Sequence, residues 1–303
     1  MKLAALSEDK VRADLRGNGI RLRIGPFAVS IKADDEAFAS TLHFLYQDFP
    51  LLSSNEPSEF RIRVDYPNGL RRWWRRQVRF YLDDVQPFEP FPSRLALPFF
   101  EWGLNWCIYE YAHDFLIIHA AVVERNGRAL LMPAVPGSGK STLCAALVIQ
   151  GWRLLSDEFA LIRAADGRVW PIPRPIGLKE KSIEIIRKLP GAVDIGPTFM
   201  DTRKGNVAHL RPPGDSVNRA NEPATAARII FPRFQRGAQN QIEPLSKASG
   251  FAKASDDSFN YELLGAAGFD FLSAVIDNSE CFDLTFSDLQ AALDLIETVV
   301  ADS

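Results

Sequence analysis

The sequence predicts an α/β protein in which a smaller β-rich α+β domain precedes a larger α/β domain. In residues 1–94, short apolar runs alternate with Pro, Asn and Gly, which is typical of short strands in an antiparallel or mixed sheet. A Pro- and Phe-rich stretch at 86–100 indicates a connector, because proline removes a backbone donor and fixes local turns. An apolar strand, a Gly-rich loop and a helical pattern then follow at 129–151, the order of an α/β core. We therefore predict domains at 1–94 and 95–303.

Composition and charge exclude several classes of protein. The 303 residues include 35 Lys and Arg against 38 Asp and Glu, whereas a dedicated nucleic-acid-binding domain is usually strongly basic. Cys107, Cys144 and Cys281 are far apart, so neither a disulfide framework nor a zinc site is expected. The first apolar stretch is too short for a signal peptide, and charged residues interrupt the apolar region at 95–123. We expect a cytoplasmic protein with no specific nucleic-acid partner and no membrane span.

The first elements of the larger domain follow from local patterns. Aromatic and aliphatic residues at helical spacing predict a packed helix over 95–112. Two β-rich runs follow, at 115–124 and 128–134, with Asn126-Gly127 between them. Because both central residues of a type I′ turn need a positive φ, Asn-Gly is the strongest short-range hairpin signal. The strand that enters the Gly-rich loop should therefore pair with its predecessor.

Three further elements are predicted towards the C-terminal end. Asp166 and Gly167 supply the turn of a second hairpin. The many Pro, Gly, Asn and charged residues at 191–221 predict a long mobile loop, and such loops are usually functional or disordered. Ser287 begins an S-x-x-Q capping box before apolar residues at helical spacing, which predicts a terminal amphipathic helix.

The strongest functional signal is the loop at 134–142, of the G-x-x-x-x-G-K-[ST] type with Ala134 in place of the first Gly. A strand enters it and a helical pattern closed by Gly151 leaves it, as the motif requires. Lys140 would reach the β- and γ-phosphates, and the Ser141 hydroxyl would join the Mg²⁺ shell. A Gly- and Ser-rich turn with a solvated lysine is the alternative. The motif predicts nucleoside-triphosphate binding by Gly137, Ser138, Gly139, Lys140, Ser141 and Thr142.

Three polar residues accompany the loop. Asp157 and Glu158 end a strand that should return to the phosphates, and their side chains point to opposite sides if the pleat persists. One could serve the metal or polarise a hydroxyl, with two solvated acids at a strand end as the alternative. His119 lies in the strand before the Asn-Gly turn, and the hairpin would bring it beside the strand that leads to Lys140. A satisfied core histidine is the alternative for His119.

Together these features resemble the C-terminal kinase domain of HPr kinase/phosphorylase, and more specifically the bacterial HPr-related kinases A. The likeness covers roughly 115–234 and rests on an H-A-A strand, the hairpin, the phosphate loop and a G-x-R-L-x-S-D-[DE] strand. It implies a P-loop kinase core similar to the nucleotide-binding core of phosphoenolpyruvate carboxykinase, with ATP and Mg²⁺ phosphorylating a serine on a protein. It also implies that His119 lies near the phosphates, that Asp157 accepts the seryl proton and that Glu158 replaces a second aspartate. Relatives commonly form hexamers, so a homo-oligomer is possible.

The chain differs from the family at a position that helps to bind the metal ion. The family has a glutamate before an R-G-L-G-like segment, whereas the comparable stretch at 171–179 holds no acid there. The metal ligands predicted from this sequence are therefore Ser141 and Asp157, with Glu158 as the other acid that could contribute. The resemblance is therefore not extended to reversal of the reaction by phosphorolysis.

A basic series runs through 174–211. Phosphoryl transfer spreads negative charge over the phosphate oxygens, so cations that close over the nucleotide are an expected device. Solvated loop charges are the alternative for each one. Arg203-Lys204 is the first choice among the predicted substrate or phosphate contacts, which are Arg174, Lys179, Arg203 and Lys204.

Two aromatic-basic segments have no assigned chemistry. Arginines and tryptophans interleave at 71–76, which suits partner docking or a surface strand in which arginines cover tryptophan faces. Stacking on bases and contact with a membrane surface are the alternatives. The run at 231–234, Phe-Pro-Arg-Phe, resembles a recurrent feature of the HPr-kinase relatives, and its role does not follow from the sequence.

The expected function is that of an HPr-kinase-like, ATP-dependent kinase acting on a serine or similar hydroxyl of a protein or peptide. In this interpretation Lys140 neutralises charge on the transferring group and Asp157 orients or deprotonates the acceptor. Two alternatives share the same binding residues. One is a nucleotide-gated binding module, and the other is an NTPase that releases phosphate to water without a phosphorylated acceptor.

Overall fold

A computed structural model describes residues 1–53, 55–66, 76–191 and 194–301. Over these ranges the chain is a mixed α/β protein with several sheets, as the sequence predicts. Residues 71–75 of the arginine- and tryptophan-rich segment lie outside the described part. No helix in the described ranges is long and apolar enough to cross a membrane.

The N-terminal unit combines a mixed sheet with two helices. Each of the four longer strands lies where the alternating pattern predicts one, and helix α2 connects β2 to β3, the parallel neighbours. Ser7 and Asp35 cap the two helices by accepting hydrogen bonds from backbone N–H groups. The elements are α1 (Glu8–Arg16), β1 (Ile20–Ile24), β2 (Phe27–Ala33), α2 (Glu36–Tyr46), β3 (Phe60–Asp65), β4 (Gln77–Leu82) and β5 (Phe91–Pro92), with the strands adjacent in chain order.

Helix α3 (Ala96–Tyr111) occupies the predicted position and packs on the N-terminal sheet. Gly103 permits this approach, because a Cβ there would lie 2.2 Å from the Phe80 ring of β4. The same apolar core continues to Phe115 and Ile117 of the following strand. Thus α3, on the C-terminal side of the sequence-based boundary, joins the N-terminal sheet to the rest of the chain.

The central sheet of the larger unit contains both predicted hairpins. Asn126 and Gly127 have φ of 56° and 79°, and Arg125 pairs with Arg128 across the turn. The turn at Gly167 likewise joins two antiparallel strands. The strands are β6 (Phe115–Arg125), β7 (Arg128–Pro133), β8 (Arg153–Ser156), β9 (Phe159–Arg163), β10 (Val169–Trp170), β14 (Thr225–Phe234), β15 (Gln241–Leu245) and β16 (Glu280–Phe286).

The order of these strands decides where the side chains of the Gly-rich loop lie. Within the described residues it is β10-β9-β6-β7-β14-β16-β15, and β8 also pairs with β6. Strand β14 runs parallel to β7 and β16, whereas the other pairs are antiparallel. Strand β7 therefore lies between the β6 side, which carries β8 and β9, and the β14 side.

Helices cover both faces of this sheet. Helix α4 (Lys140–Ile149) packs against β6, β7 and a smaller sheet, with α10 (Leu289–Ala301) beside it. Helices α7 (Lys247–Asp256) and α9 (Ala266–Asp277) cover the other face. Burial from several directions explains why α4 is almost wholly apolar after its first turn.

Two predictions about the C-terminal half are wrong in part. The expected loop at 191–221 contains strands of a three-stranded sheet, because β13 finds its partner β11 far along the chain. The cap of α10 is Asp288, whose Oδ1 accepts from the Ala291 N–H, whereas the Ser287 hydroxyl donates to the Ala238 carbonyl. The remaining elements of this half are β11 (Ile176–Lys179), α5 (Lys181–Arg187), β12 (Phe199–Thr202), β13 (Gly205–Leu210), α6 (Gly214–Asn218) and α8 (Tyr261–Leu264).

Candidate functional site

The Gly-rich loop connects β7 to α4, as the sequence predicts. Gly137 and Gly139 have φ of 93° and 88°, in the left-handed region that favours glycine. A Cβ on Gly139 would also lie 2.7 Å from Cζ of Phe286. Ala134 has no positive φ, so alanine is tolerated where the motif has its first glycine.

Lys140 is the first residue of α4 and is 7% exposed. Its ammonium has no hydrogen-bond partner among the described residues, and neither has the buried Ser138 hydroxyl. Burial lowers the pKa of Lys140, and the nearby carboxylates of Glu158, Asp157 and Asp257 oppose that shift. A buried ammonium that makes no hydrogen bond is costly, so its donors are available to an anionic ligand.

Asp157 and Glu158 form the bend between β8 and β9. Ser156 fixes this bend, because its hydroxyl accepts hydrogen bonds from the N–H groups of Glu158 and Phe159 at 3.3 and 3.0 Å. Both strands pair with β6, so the acids lie opposite the part of β6 that carries His119. The geometry thus brings together Lys140, Asp157, Glu158 and His119.

The two acids differ in their contacts. Asp157 is 4% exposed, and its Oδ2 accepts from the Gly177 N–H of β11 at 3.0 Å. Its Oδ1 has no partner within the described ranges. The Glu158 Oε2 lies 3.5 Å from Nε2 of His119. Asp157 therefore keeps one oxygen available to a ligand, whereas Glu158 is held against the histidine.

The same contacts separate the pKa values of the pair. Burial and the Glu158 charge raise the pKa of Asp157 to about 6, against the opposing effects of Lys140, the Gly177 amide and the Ser141 hydroxyl. Burial acts in the same direction on Glu158, but His119 and Lys140 outweigh it and lower the pKa of Glu158. Asp157 is thus the acid that takes up a proton first, as a general base working near neutral pH requires.

Asp257 is a member of this cluster that the sequence analysis did not identify. It follows α7, and its backbone carbonyl accepts from the His119 N–H at 2.8 Å. Burial raises the pKa of its carboxyl group, and the charges of His119 and Lys140 oppose that shift. No local motif marks Asp257, because only the pairing of its segment with β6 brings it to the site.

The four predicted basic contacts lie in different places. Lys179 is close enough to Lys140 to lower its pKa, and the exposed Lys204 contributes to lowering the pKa of Glu158. The guanidinium of Arg203 instead lies 5.0 Å from the centre of the Phe91 ring. Two of the four residues therefore lie in the electrostatic surroundings of the loop and acids, and Arg203 extends towards the N-terminal sheet.

Arg174 lies in a buried network between α2, α3 and the segment before β11. Its Nη2 donates to Oε2 of Glu101 at 2.7 Å, and its Nη1 donates to Oδ1 of Asn105 at 2.6 Å. The Tyr46 hydroxyl donates to the other oxygen of Glu101 at 2.7 Å. A phosphate contact would require Arg174 to leave this ion pair. In the structure its guanidinium instead connects α3 to the segment before β11.

The residues predicted to bind ATP and Mg²⁺ have suitable unsatisfied atoms. The Lys140 ammonium and the Ser138 hydroxyl can meet phosphate oxygens, and the free oxygen of Asp157 can meet a cation. The Ser141 hydroxyl is near enough to Asp157 to affect its pKa. The described residues contain no group of three or more His, Cys, Asp or Glu side chains that could hold a metal ion by themselves. Among the described residues, a Mg²⁺ ion here would therefore need ligands beyond these side chains.

Comparisons with known proteins do not add to this description. No model of a protein family matches the sequence, and no curated protein is significantly similar to it.

Proposed function

We propose that the protein is an ATP-dependent, HPr-kinase-like kinase that phosphorylates a serine or similar hydroxyl of a protein or peptide. The observation that carries the proposal is the buried Lys140 ammonium, unpaired among the described residues, beside the buried Asp157 carboxylate. The first needs an anion and the second can take a proton. The cytoplasm, where ATP is available, is the proposed location.

Binding of the triphosphate follows from the loop. Backbone N–H groups of Gly137, Ser138 and Gly139, together with the N-terminus of α4, offer partial positive charge to phosphate oxygens. Lys140 adds a full charge in a site with little access to water, where electrostatic attraction is stronger than at the surface. We assign Thr142, in the first turn of α4, to the same binding surface.

Ser141 and Asp157 are the residues that would hold Mg²⁺. Bound there, the ion would supply charge neutralisation for the phosphates. Glu158 contributes indirectly, because its carboxylate contacts His119 and its charge raises the pKa of Asp157.

Asp157 is the proposed proton acceptor. As the acceptor oxygen forms its bond to the γ-phosphorus and the bond to the ADP oxygen breaks, the hydroxyl proton passes to the Asp157 carboxylate. The Gly177 N–H donates to Oδ2 of this carboxylate and so orients the group. Lys140 stabilises the charge that accumulates on the transferring phosphoryl group.

The test combines ATP binding with transfer of the γ-phosphate. Purified protein is incubated with γ-labelled ATP and a lysate of its own host, and labelled proteins are identified. Lys140→Ala should lose both binding and transfer, whereas Asp157→Asn should keep most binding and lose transfer. Lys188→Ala, at an exposed lysine after α5, is the control and should change neither.

Three other outcomes would reject the kinase assignment. Phosphate released to water without a labelled acceptor would indicate an NTPase. Tight ATP binding without turnover would indicate a nucleotide-gated binding module. If the Lys140 and Asp157 variants bind ATP and transfer phosphate as well as the parent protein does, the site does not lie at these residues.

A further inference from the structure

The Phe-Pro-Arg-Phe run forms the last four residues of β14 and ends beside the Gly-rich loop. The Phe234 N–H donates to the Ser138 carbonyl at 2.9 Å, which ties the end of β14 directly to the loop. Phe234 is nevertheless 48% exposed. A large apolar ring is therefore held at the edge of the proposed phosphate site with much of its surface in solvent.

The position of this ring is fixed from behind. Its centre lies 5.6 Å from that of the buried Phe286 ring, at an interplanar angle of 67°. Phe286 in turn lies against Gly139, and the Gln235 N–H donates to the Phe286 carbonyl at 2.8 Å. The backbone and one ring contact therefore hold Phe234 in place, and little freedom would be lost if a ligand stacked on it.

The order of the sheet gives the direction in which a nucleotide would lie. The acids and His119 lie on the β6 side of β7, whereas Phe234 and Phe286 lie on the β14 side. If the γ-phosphate faces Asp157, the nucleoside must leave the loop on the side away from the acids. The exposed Phe234 ring lies on that side.

We propose that Phe234 is the stacking platform for the nucleobase of the bound nucleotide, with Phe286 bracing its ring. The inference rests on the proposed function, since it needs a nucleotide at Lys140. Stacking uses the π-face that every base has, and a phenylalanine ring offers no hydrogen bonds to select among bases. The contribution of Phe234 should therefore be similar for ATP and GTP.

The experiment compares a ligand that has a base with one that lacks it. Calorimetry measures the Kd of Mg²⁺-ATP and of Mg²⁺-tripolyphosphate for the full chain and its variants. Phe234→Ala should raise the Kd of ATP about tenfold and leave the Kd of tripolyphosphate unchanged. Phe234→Tyr keeps the ring and should bind ATP almost as the parent protein does. Phe269→Ala is the matched control, at another exposed phenylalanine with one ring neighbour, and should alter neither Kd.

Each outcome has one interpretation. If Phe234→Ala weakens the binding of ATP and of tripolyphosphate equally, the ring supports the loop. If Phe234→Ala leaves the Kd of ATP unchanged, the base lies elsewhere. Either result overturns the platform while leaving the proposed kinase intact. If the parent protein binds neither ligand, the proposed function fails and the platform fails with it.

Discussion

Replacing Glu101 with glutamine tests the buried network that joins α3 to the segment before β11. The Glu101 and Arg174 side chains are 7% and 9% exposed, and their charged atoms lie 2.7 Å apart. Removing one partner of a buried ion pair costs about 3–5 kcal/mol, because the remaining charge is left uncompensated. Glutamine keeps the volume and can still accept from the Tyr46 hydroxyl, and Arg174 keeps Asn105. We therefore expect a loss near the lower end, about 3 kcal/mol.

Urea denaturation of the full chain measures this loss. Arg174→Met and the double variant complete a thermodynamic cycle, in which the double variant should lose less than the sum of the single losses by about 2 kcal/mol. Asp14→Asn is the control, because Lys10 and Asp14 form a much more exposed pair, and it should change stability by about 0.5 kcal/mol or less. Additive single losses, or a Glu101 variant as stable as the parent, would refute the reasoning.

Two further predictions concern the loop and the pH dependence of stability. Gly139→Ala should abolish ATP binding and lower the thermal midpoint, because Gly139 has a φ of 88° and the new Cβ would meet Phe286. Gly127 also has a positive φ, but the space around it is open, so Gly127→Ala should lower the free energy of unfolding by about 1 kcal/mol and leave ATP binding unchanged. Calorimetry and thermal melting check both variants, and retained binding in Gly139→Ala would contradict the loop geometry. Burial lowers the pKa of His209 below the usual 6.5, against the charge of Glu101, so the unfolded chain takes up a proton there before the folded chain does. The stability that the neutral His209 contributes is present above pH 6.5 and is lost as the pH falls. The difference in free energy of unfolding between the parent protein and His209→Gln, measured by urea titration, should therefore be smaller at about pH 5.5 than at about pH 7.5. Parallel pH profiles would count against a neutral, buried His209.

Arg174 shows why a charge pattern alone leaves two interpretations open. Its place in a Pro-rich, basic stretch is equally consistent with a phosphate contact and with a buried ion pair. The deciding partner, Glu101, lies on α3 and comes much earlier in the chain. The network still bears on the site, because Gly177 holds Asp157 and lies in the strand that follows Arg174 directly.

Short-range sequence patterns were enough to predict several helices, strands and turns of this protein. The Asn126-Gly127 hairpin, the strand before the loop and the helix that begins at Lys140 all depend on residues within a few positions of one another. Asp157 and Glu158 could also be identified, because they directly follow a predicted strand downstream of the motif. In each case the backbone preference and the hydrophobic period are properties of the segment alone.

Tertiary structure decided what those segments meet. The pairing of β13 with β11 forms a sheet where the sequence predicted a loop. The position of the segment after α7 places the Asp257 carbonyl beside the His119 N–H. The contact of Phe234 with the loop depends likewise on β14 lying beside β7. These contacts join residues that are far apart in the chain, and their free energy comes from burial and pairing between elements. A sequence pattern reports the preferences of one element, whereas these positions are set by which elements pack together.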